Sequence, residues 1–238
     1  MSIIYMTEKI IYSARGIKKT YLDEDGRTLI DVLCGVDLEI HGGEVVGIMG
    51  PSGSGKSTFL HILGFMDGNF GGDLFFDGKN SRAMSAGEKN FLLRTRIGFL
   101  FQHHHLLNEL NLLENISLPL RVKGEISSGH YEESLQPLIE TLGLRGKERR
   151  YPHELSGGEK QKAALARAVV KNPEVVFCDE PTGNLDHSSA ESVKKLLGDL
   201  HARLGFTLVI VTHNRGLLDG LADRFYEMLD GKIKPMTN

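Results

Sequence analysis

Residues 50–57 read GPSGSGKS, and no other stretch narrows the possible folds as much. They match G-x-x-x-x-G-K-[ST] and stand between an apolar run, EVVGIM (44–49), and a helical pattern, STFLHILGF (57–65). A buried strand that turns tightly into a helix aims backbone N–H groups and the positive end of the helix dipole at one point. Gly50, Gly53 and Gly55 permit that turn and a close approach of phosphate oxygens. Lys56 is spaced to reach the β- and γ-phosphates of a nucleotide, and Ser57 offers a hydroxyl to Mg²⁺. The candidate phosphate-binding residues are Gly50, Pro51, Ser52, Gly53, Ser54, Gly55, Lys56, Ser57 and Thr58.

Such a loop leaves the class of enzyme open, so the surrounding pattern matters. EVVGIM, IGFLF (97–101), EVVFC (174–178) and TLVIV (207–211) read as buried parallel strands, because short apolar runs end in turn signals and alternate with helical spacing. Asp25-Gly26, Asp77-Gly78 and Asp230-Gly231 read as hairpin turns that add antiparallel strands to this core. Over 103–165 the spacing is helical, as in Leu135, Leu138, Ile139 and Leu142, with Pro137 placed to interrupt it. That stretch is expected to form a helical lobe inserted into one domain spanning 1–238.

Bulk properties exclude several classes. A chain of 238 residues, 40% hydrophobic and 25% charged, has an ordinary globular composition. Its formal charge of −3 gives no electrostatic basis for binding nucleic acid. Cys34 and Cys178 suit a reducing compartment rather than a disulfide framework. No apolar run approaches the roughly 18–20 residues that cross a bilayer, and Glu8 and Lys9 interrupt the first isoleucines, so a signal peptide is not expected.

Two further stretches carry chemistry. EVVFCDEPTGNLD (174–186) puts Asp179 at the end of a buried strand, with Glu180 next. The first carboxylate suits Mg²⁺ and the second suits a water that must be oriented and polarised. HELSGGEKQKAALARAVV (153–170) opens a helix with an S-x-x-E capping box, Ser156 to Glu159. Gly157 and Gly158 weaken that helix start but expose its N–H groups, which suits a second anion, one brought by another copy of the chain.

GPSGSGKS, Gln102, LSGGE, VVFCDEP, NLD and His213 occur in the order seen in the ATP-binding cassette (ABC) ATPases, and the chain resembles that family over nearly its whole length. The resemblance implies an α/β fold: a P-loop NTPase core with a mainly parallel sheet, an antiparallel β subdomain and an inserted helical subdomain. It implies ATP and Mg²⁺, with Ser57, Gln102 and Asp179 at the metal and Lys56, Glu180 and His213 acting in hydrolysis. Tyr21 looks like the aromatic that stacks on adenine, although on its pattern alone it equally suits a strand aromatic packed on the core. Asp186 falls in the loop that crosses the interface of a homodimer. There, Ser156, Gly157, Gly158 and Glu159 of one copy would close on the nucleotide of the other.

FQHHHLLNELNLLENISLPL (101–120) contains three histidines, His103 to His105. As a strand they would point to alternating faces and make a poor metal site, and no second His/Cys cluster stands at zinc-like spacing. The resemblance instead puts residues 102–120 where integral membrane permease subunits dock; exposed leucines between Leu106 and Leu120 would suit such a groove, and packing inside the lobe is the alternative for many of them. HHLL, ENISLPL and PTGNLD are similar to the macrolide-exporter-like branch, and HHLL most resembles its lipoprotein-releasing type. Lys162 stands where relatives often carry arginine, and Asn108 where they often carry proline. The expected function is an ATPase subunit, peripheral on the cytoplasmic face of an inner membrane, powering lipoprotein release. Macrolide-efflux-type, cell-division-type and soluble DNA- or ribosome-acting cassettes are the alternatives. About 100 residues separate the phosphate loop from LSGGE without sustained heptads, which argues against the DNA-repair relatives.

Overall fold

The apolar runs become strands because each has apolar packing on both faces. The computed structural model describes residues 9–22, 25–26, 28–124 and 131–236. The isoleucines of the first eight residues, weighed above as a targeting segment, lie outside this set. β1 (Ile10–Leu22) and β2 (Leu29–His41) pair as a hairpin, and β3 (Val45–Met49) leads through the glycine-rich loop into α1 (Lys56–Leu63). β4 (Gly71–Phe76), β5 (Lys79–Asn80), α2 (Ala86–Thr95) and β6 (Ile97–Leu100) follow. α3 (Leu112–Lys123), α4 (Tyr131–Thr141) and α5 (Gly157–Val169) precede β7 (Val175–Asp179). α6 (His187–Leu204), β8 (Thr207–Thr212), α7 (Arg215–Leu218), β9 (Arg224–Leu229) and β10 (Lys232–Met236) complete the described chain.

Among the described residues these strands form two sheets. The six-stranded sheet runs β10-β9-β3-β8-β7-β6, parallel except for the β9–β10 hairpin, and the four-stranded antiparallel sheet runs β2-β1-β4-β5. Asp77 and Gly78 both have positive φ, 52° and 77°, as do Asp230 and Gly231, 46° and 69°. Two left-handed residues in a two-residue loop match the right-handed twist of the strands they join.

Side-chain alternation divides the interior in two. Val176 and Cys178 of β7 and Leu208 and Ile210 of β8 pack with Leu112, Ile116, Ile139, Leu165, Leu197 and Leu200. The alternate positions, Val175, Phe177, Val209 and Val211, pack with Ile48, Phe59, Leu63, Tyr12 and Phe76 from the other face. A strand with period-two geometry and both neighbours apolar must be apolar throughout, which is the pattern the sequence shows. Burial also pushes the Cys178 thiol up, so this cysteine is an inert part of the packing.

Three details differ from, or refine, the sequence reading. Helix α4 continues through Pro137, whose carbonyl accepts the Thr141 hydroxyl at 2.7 Å. Burial of Leu135, Ile139 and Leu142 on one stripe outweighs the missing N–H. The three histidines lie in the loop between β6 and α3, not on a strand, and His105 there has φ 46°. Of the two readings of the leucines, Leu112, Leu113 and Leu120 take packing inside the lobe, because α3 turns its apolar stripe inward; Leu107 remains exposed.

β6 approaches α5 so closely that a Cβ at Gly98 would lie 2.4 Å from the carbonyl oxygen of Ala168. Gly98→Ala is therefore expected to cost about 1–3 kcal/mol of stability through forced separation of strand and helix, measured by urea unfolding. Stability equal to that of the parent would show that this packing yields without strain.

Candidate active site

The glycine-rich loop leaves β3 at Met49 and turns under the start of α1. Gly55, the N-cap of α1, has φ 101°, and a Cβ there would lie 2.7 Å from the Val32 carbonyl oxygen, so only glycine fits. No side chain caps this helix start, which leaves its first N–H groups to a ligand. Lys56 is 6% exposed, and its ammonium donates to the carbonyls of Gly50 at 2.8 Å and Pro51 at 2.9 Å. An ammonium has three hydrogens, so these bonds aim the charge and leave a third to give.

Asp179 ends β7, and its Oδ1 accepts the Ser57 hydroxyl at 2.9 Å. This bond ties the phosphate loop to the acidic strand. Burial pushes the Asp179 carboxyl above its ordinary value, against the pull of the Ser57 hydrogen bond and of the His61 and Lys56 charges. Glu180 has φ 45°, a left-handed conformation rare for a residue with a Cβ. Its Oε2 accepts the Thr212 hydroxyl at 2.9 Å, and its Oε1 stands 2.9 Å from His213 Nδ1. Gln102 donates from Nε2 to Asn184 Oδ1 at 3.3 Å. The Tyr21 ring is 42% exposed, donates its hydroxyl to Asp67 at 3.2 Å and carries Lys19 Nζ 4.7 Å from its centroid.

Most of the candidate residues border one cavity of about 520 Å³. Tyr21, Ser52, Gly53, Gly55, Lys56, Ser57, Thr58, Gln102, Glu180 and His213 line it, joined by Val32. Gly50, Pro51, Ser54 and Asp179 are not among its lining residues. Val32 carries no chemical signal in the sequence; it belongs to the site only because β2 crosses under Gly55.

Ser156, Gly157, Gly158 and Glu159 do not line this cavity. They form the start of α5 as a reciprocal capping box: Ser156 Oγ accepts Glu159 N at 3.3 Å, and Glu159 Oε2 accepts Ser156 N at 2.9 Å. Lys147 pairs with the other Glu159 oxygen. Gly158 has a packing reason that the sequence did not suggest, since a Cβ there would sit 2.8 Å from Ser189 Oγ on α6.

The sequence pattern of the ABC transporter family matches residues 33–183. The chain belongs to the ABC transporter family. It is an ABC ATPase, and related cassettes extend the match over most of its length. It is 40% identical over 214 residues to the lipoprotein-releasing system ATP-binding protein LolD of Psychrobacter arcticus, covering 90% of this chain and 93% of that one. It is 43% identical over 205 residues to LolD of Bacteroides thetaiotaomicron, covering 86% and 93%. Among solved structures it is similar to the ATP-binding cassette MJ0796 in a dimeric post-hydrolysis state bound to ADP and Pi. That likeness has TM-score 0.85 and 33% identity, over 95% of this chain and 99% of that one. The α/β architecture of a cassette, with its parallel sheet, antiparallel sheet and helices, is thus established for this chain.

Asp186 in the cassette caps α6. Its Oδ1 accepts Ser189 N at 3.0 Å and Ser188 Oγ at 2.7 Å, and its Oδ2 accepts Ser189 Oγ at 2.6 Å. These bonds, the Ser189 hydroxyl first, hold the carboxyl well below the usual carboxylate range. A depressed folded pKa adds stability above the unfolded value of about 4, and that stability fades as pH falls through the folded value. Asp186→Ala is expected to melt below the parent at pH 7, with the gap narrowing as pH drops under about 4. A gap independent of pH would show that the carboxylate charge has no part in the cap.

Proposed function

We propose that this chain is the ATP-hydrolysing subunit of a transporter on the cytoplasmic face of a bacterial inner membrane, and that the transporter releases lipoproteins. Sequence identity near 40% with LolD proteins across most of both chains supports that cargo class. The active form is a homodimer bound to integral membrane permease subunits. The observation that carries the dimer is the position of the capping box: Ser156 to Glu159 lie outside the cavity that gathers the other candidate residues. A helix start that Gly157 leaves without side-chain bulk suits an anion at its N–H groups. The dimeric MJ0796 cassettes offer a precedent for a second copy bringing it.

In this reading ATP lays its adenine on Tyr21 and its phosphates against the N–H groups and side chains of residues 50–58, with Lys56 at the β- and γ-phosphates. Mg²⁺ fits the site because Ser57, Asp179 and Gln102 offer hydroxyl, carboxylate and carboxamide oxygens, the hard donors that this ion takes. When bound it would neutralise charge on the phosphates. Glu180 accepts a proton from the attacking water. The bonds from Thr212 and His213 use one lone pair on each of its oxygens and leave another direction free, so the carboxylate is oriented without being blocked. His213 also faces the cavity, close enough to Glu180 to sense the γ-phosphate. The loop after Gln102, with His103, His105 and Leu107 exposed, is the surface offered to a permease. Nucleic acid is not a partner, in keeping with the acidic net charge.

Glu180→Gln removes the base but keeps the shape. ATP turnover is expected to fall about a hundredfold or more while ATP binding persists, and an ATP-dependent dimer should accumulate on size exclusion. Full turnover would remove Glu180 from the reaction. Ser156→Arg and Lys56→Ala are each expected to abolish turnover alone. Their mixture should recover a fraction of it, since each mixed dimer keeps one intact composite site; mixed dimers of proven composition without activity would argue against shared sites.

A further inference from the structure

We propose that Gln161 is a positioning residue that sets Gln102 and Glu180 relative to each other, and that the N–H of His104 orients it for this task. The inference rests on the hydrolytic roles given above to Gln102 and Glu180. Gln161 lies on α5 and is 1% exposed. Its Nε2 donates to two backbone carbonyls, that of Phe101 at 3.2 Å and that of Pro181 at 2.7 Å. Phe101 is the residue before Gln102, and Pro181 is the residue after Glu180. One amide therefore ties together the two points where β6 and β7 release their loops.

Hydrogen-bond polarity fixes which way this amide faces. Two carbonyls only accept, so the NH₂ must point to them and Oε1 must point away. Oε1 lies 2.5 Å from His104 Nδ1. An amide oxygen has no hydrogen to give, so Nδ1 carries the proton. The backbone that carries the ring is gripped as well: Arg167, also on α5, donates to the carbonyls of His104 at 2.7 Å and His105 at 2.6 Å. The helix capped by Ser156 thus holds the loop after Gln102 and the loop after Glu180 in one unit. The second of the three histidines has a role in it, through the polarity of a single bond.

Asn and Asp at position 104 have the same shape and opposite polarity where Nδ1 now sits. Asn can donate to Gln161 Oε1. An ionised Asp can only accept, and would turn the amide so that its oxygen faces the two carbonyls. The test is steady-state ATP turnover and equilibrium ATP binding by full-length His104→Asp and His104→Asn, with thermal unfolding as a check on folding. His104→Asp is expected to lower kcat about tenfold with ATP affinity within about threefold of the parent, and His104→Asn to recover most of the loss. Equal kcat for the two variants, or a loss confined to ATP affinity, overturns the inference. If His104→Asp does not fold, His104→Ala replaces it, with an expected loss in kcat of about threefold that His104→Asn again recovers; equal kcat for Ala and Asn overturns the inference. A parent chain without ATP turnover would instead defeat the proposed function, before any variant is compared.

Discussion

Parallel strands release their chain at the same edge of a sheet, and the whole site depends on that constraint. β3 hands over residues 50–57, β6 hands over Gln102, β7 ends in Asp179 with Glu180 next, and β8 ends just before His213. The register aligns these exits: Met49 is level with Thr212, and Asp179 with Val211. Ser57 then bonds Asp179 across 2.9 Å and closes the constellation. Residues more than 120 positions apart meet because hydrogen-bonded neighbours cannot slip by one place without turning their side chains to the wrong core.

The two halves of the interior give the edge its stiffness. Alternate residues of β7 and β8 enter opposite clusters, one shared with α1 and the antiparallel sheet, the other with α3 to α6. Close packing of this kind transmits displacement rather than absorbing it. Glu180 follows directly on this packed strand, and its left-handed backbone is one that persists only where the surroundings hold it.

Much of this was readable in the residues alone, for identifiable reasons. The phosphate loop needs glycines and a lysine in fixed order, and β3, β6, β7 and β8 are apolar on both faces, so periodicity exposed them. The S-x-x-E box at Ser156 predicted the hydrogen bonds that form. Other features depend on the packed state. Val32 enters the site through a backbone crossing, and Gly158 is required by a hydroxyl on α6. Pro137 looked like a break, and only burial of Leu135 and Ile139 shows why α4 continues. The histidines read as one cluster, whereas one is drawn inward by Gln161 and two remain in solvent.

Glu159 illustrates how an acid can stand at a surface proposed to receive an anion. Its carboxylate is satisfied at home, by the Ser156 amide on one oxygen and the Lys147 ammonium on the other. A bare negative charge at the mouth of α5 would repel a polyphosphate from across the proposed interface. Spent internally, the same charge instead stiffens the helix start, and what remains to greet the visitor is polarised backbone.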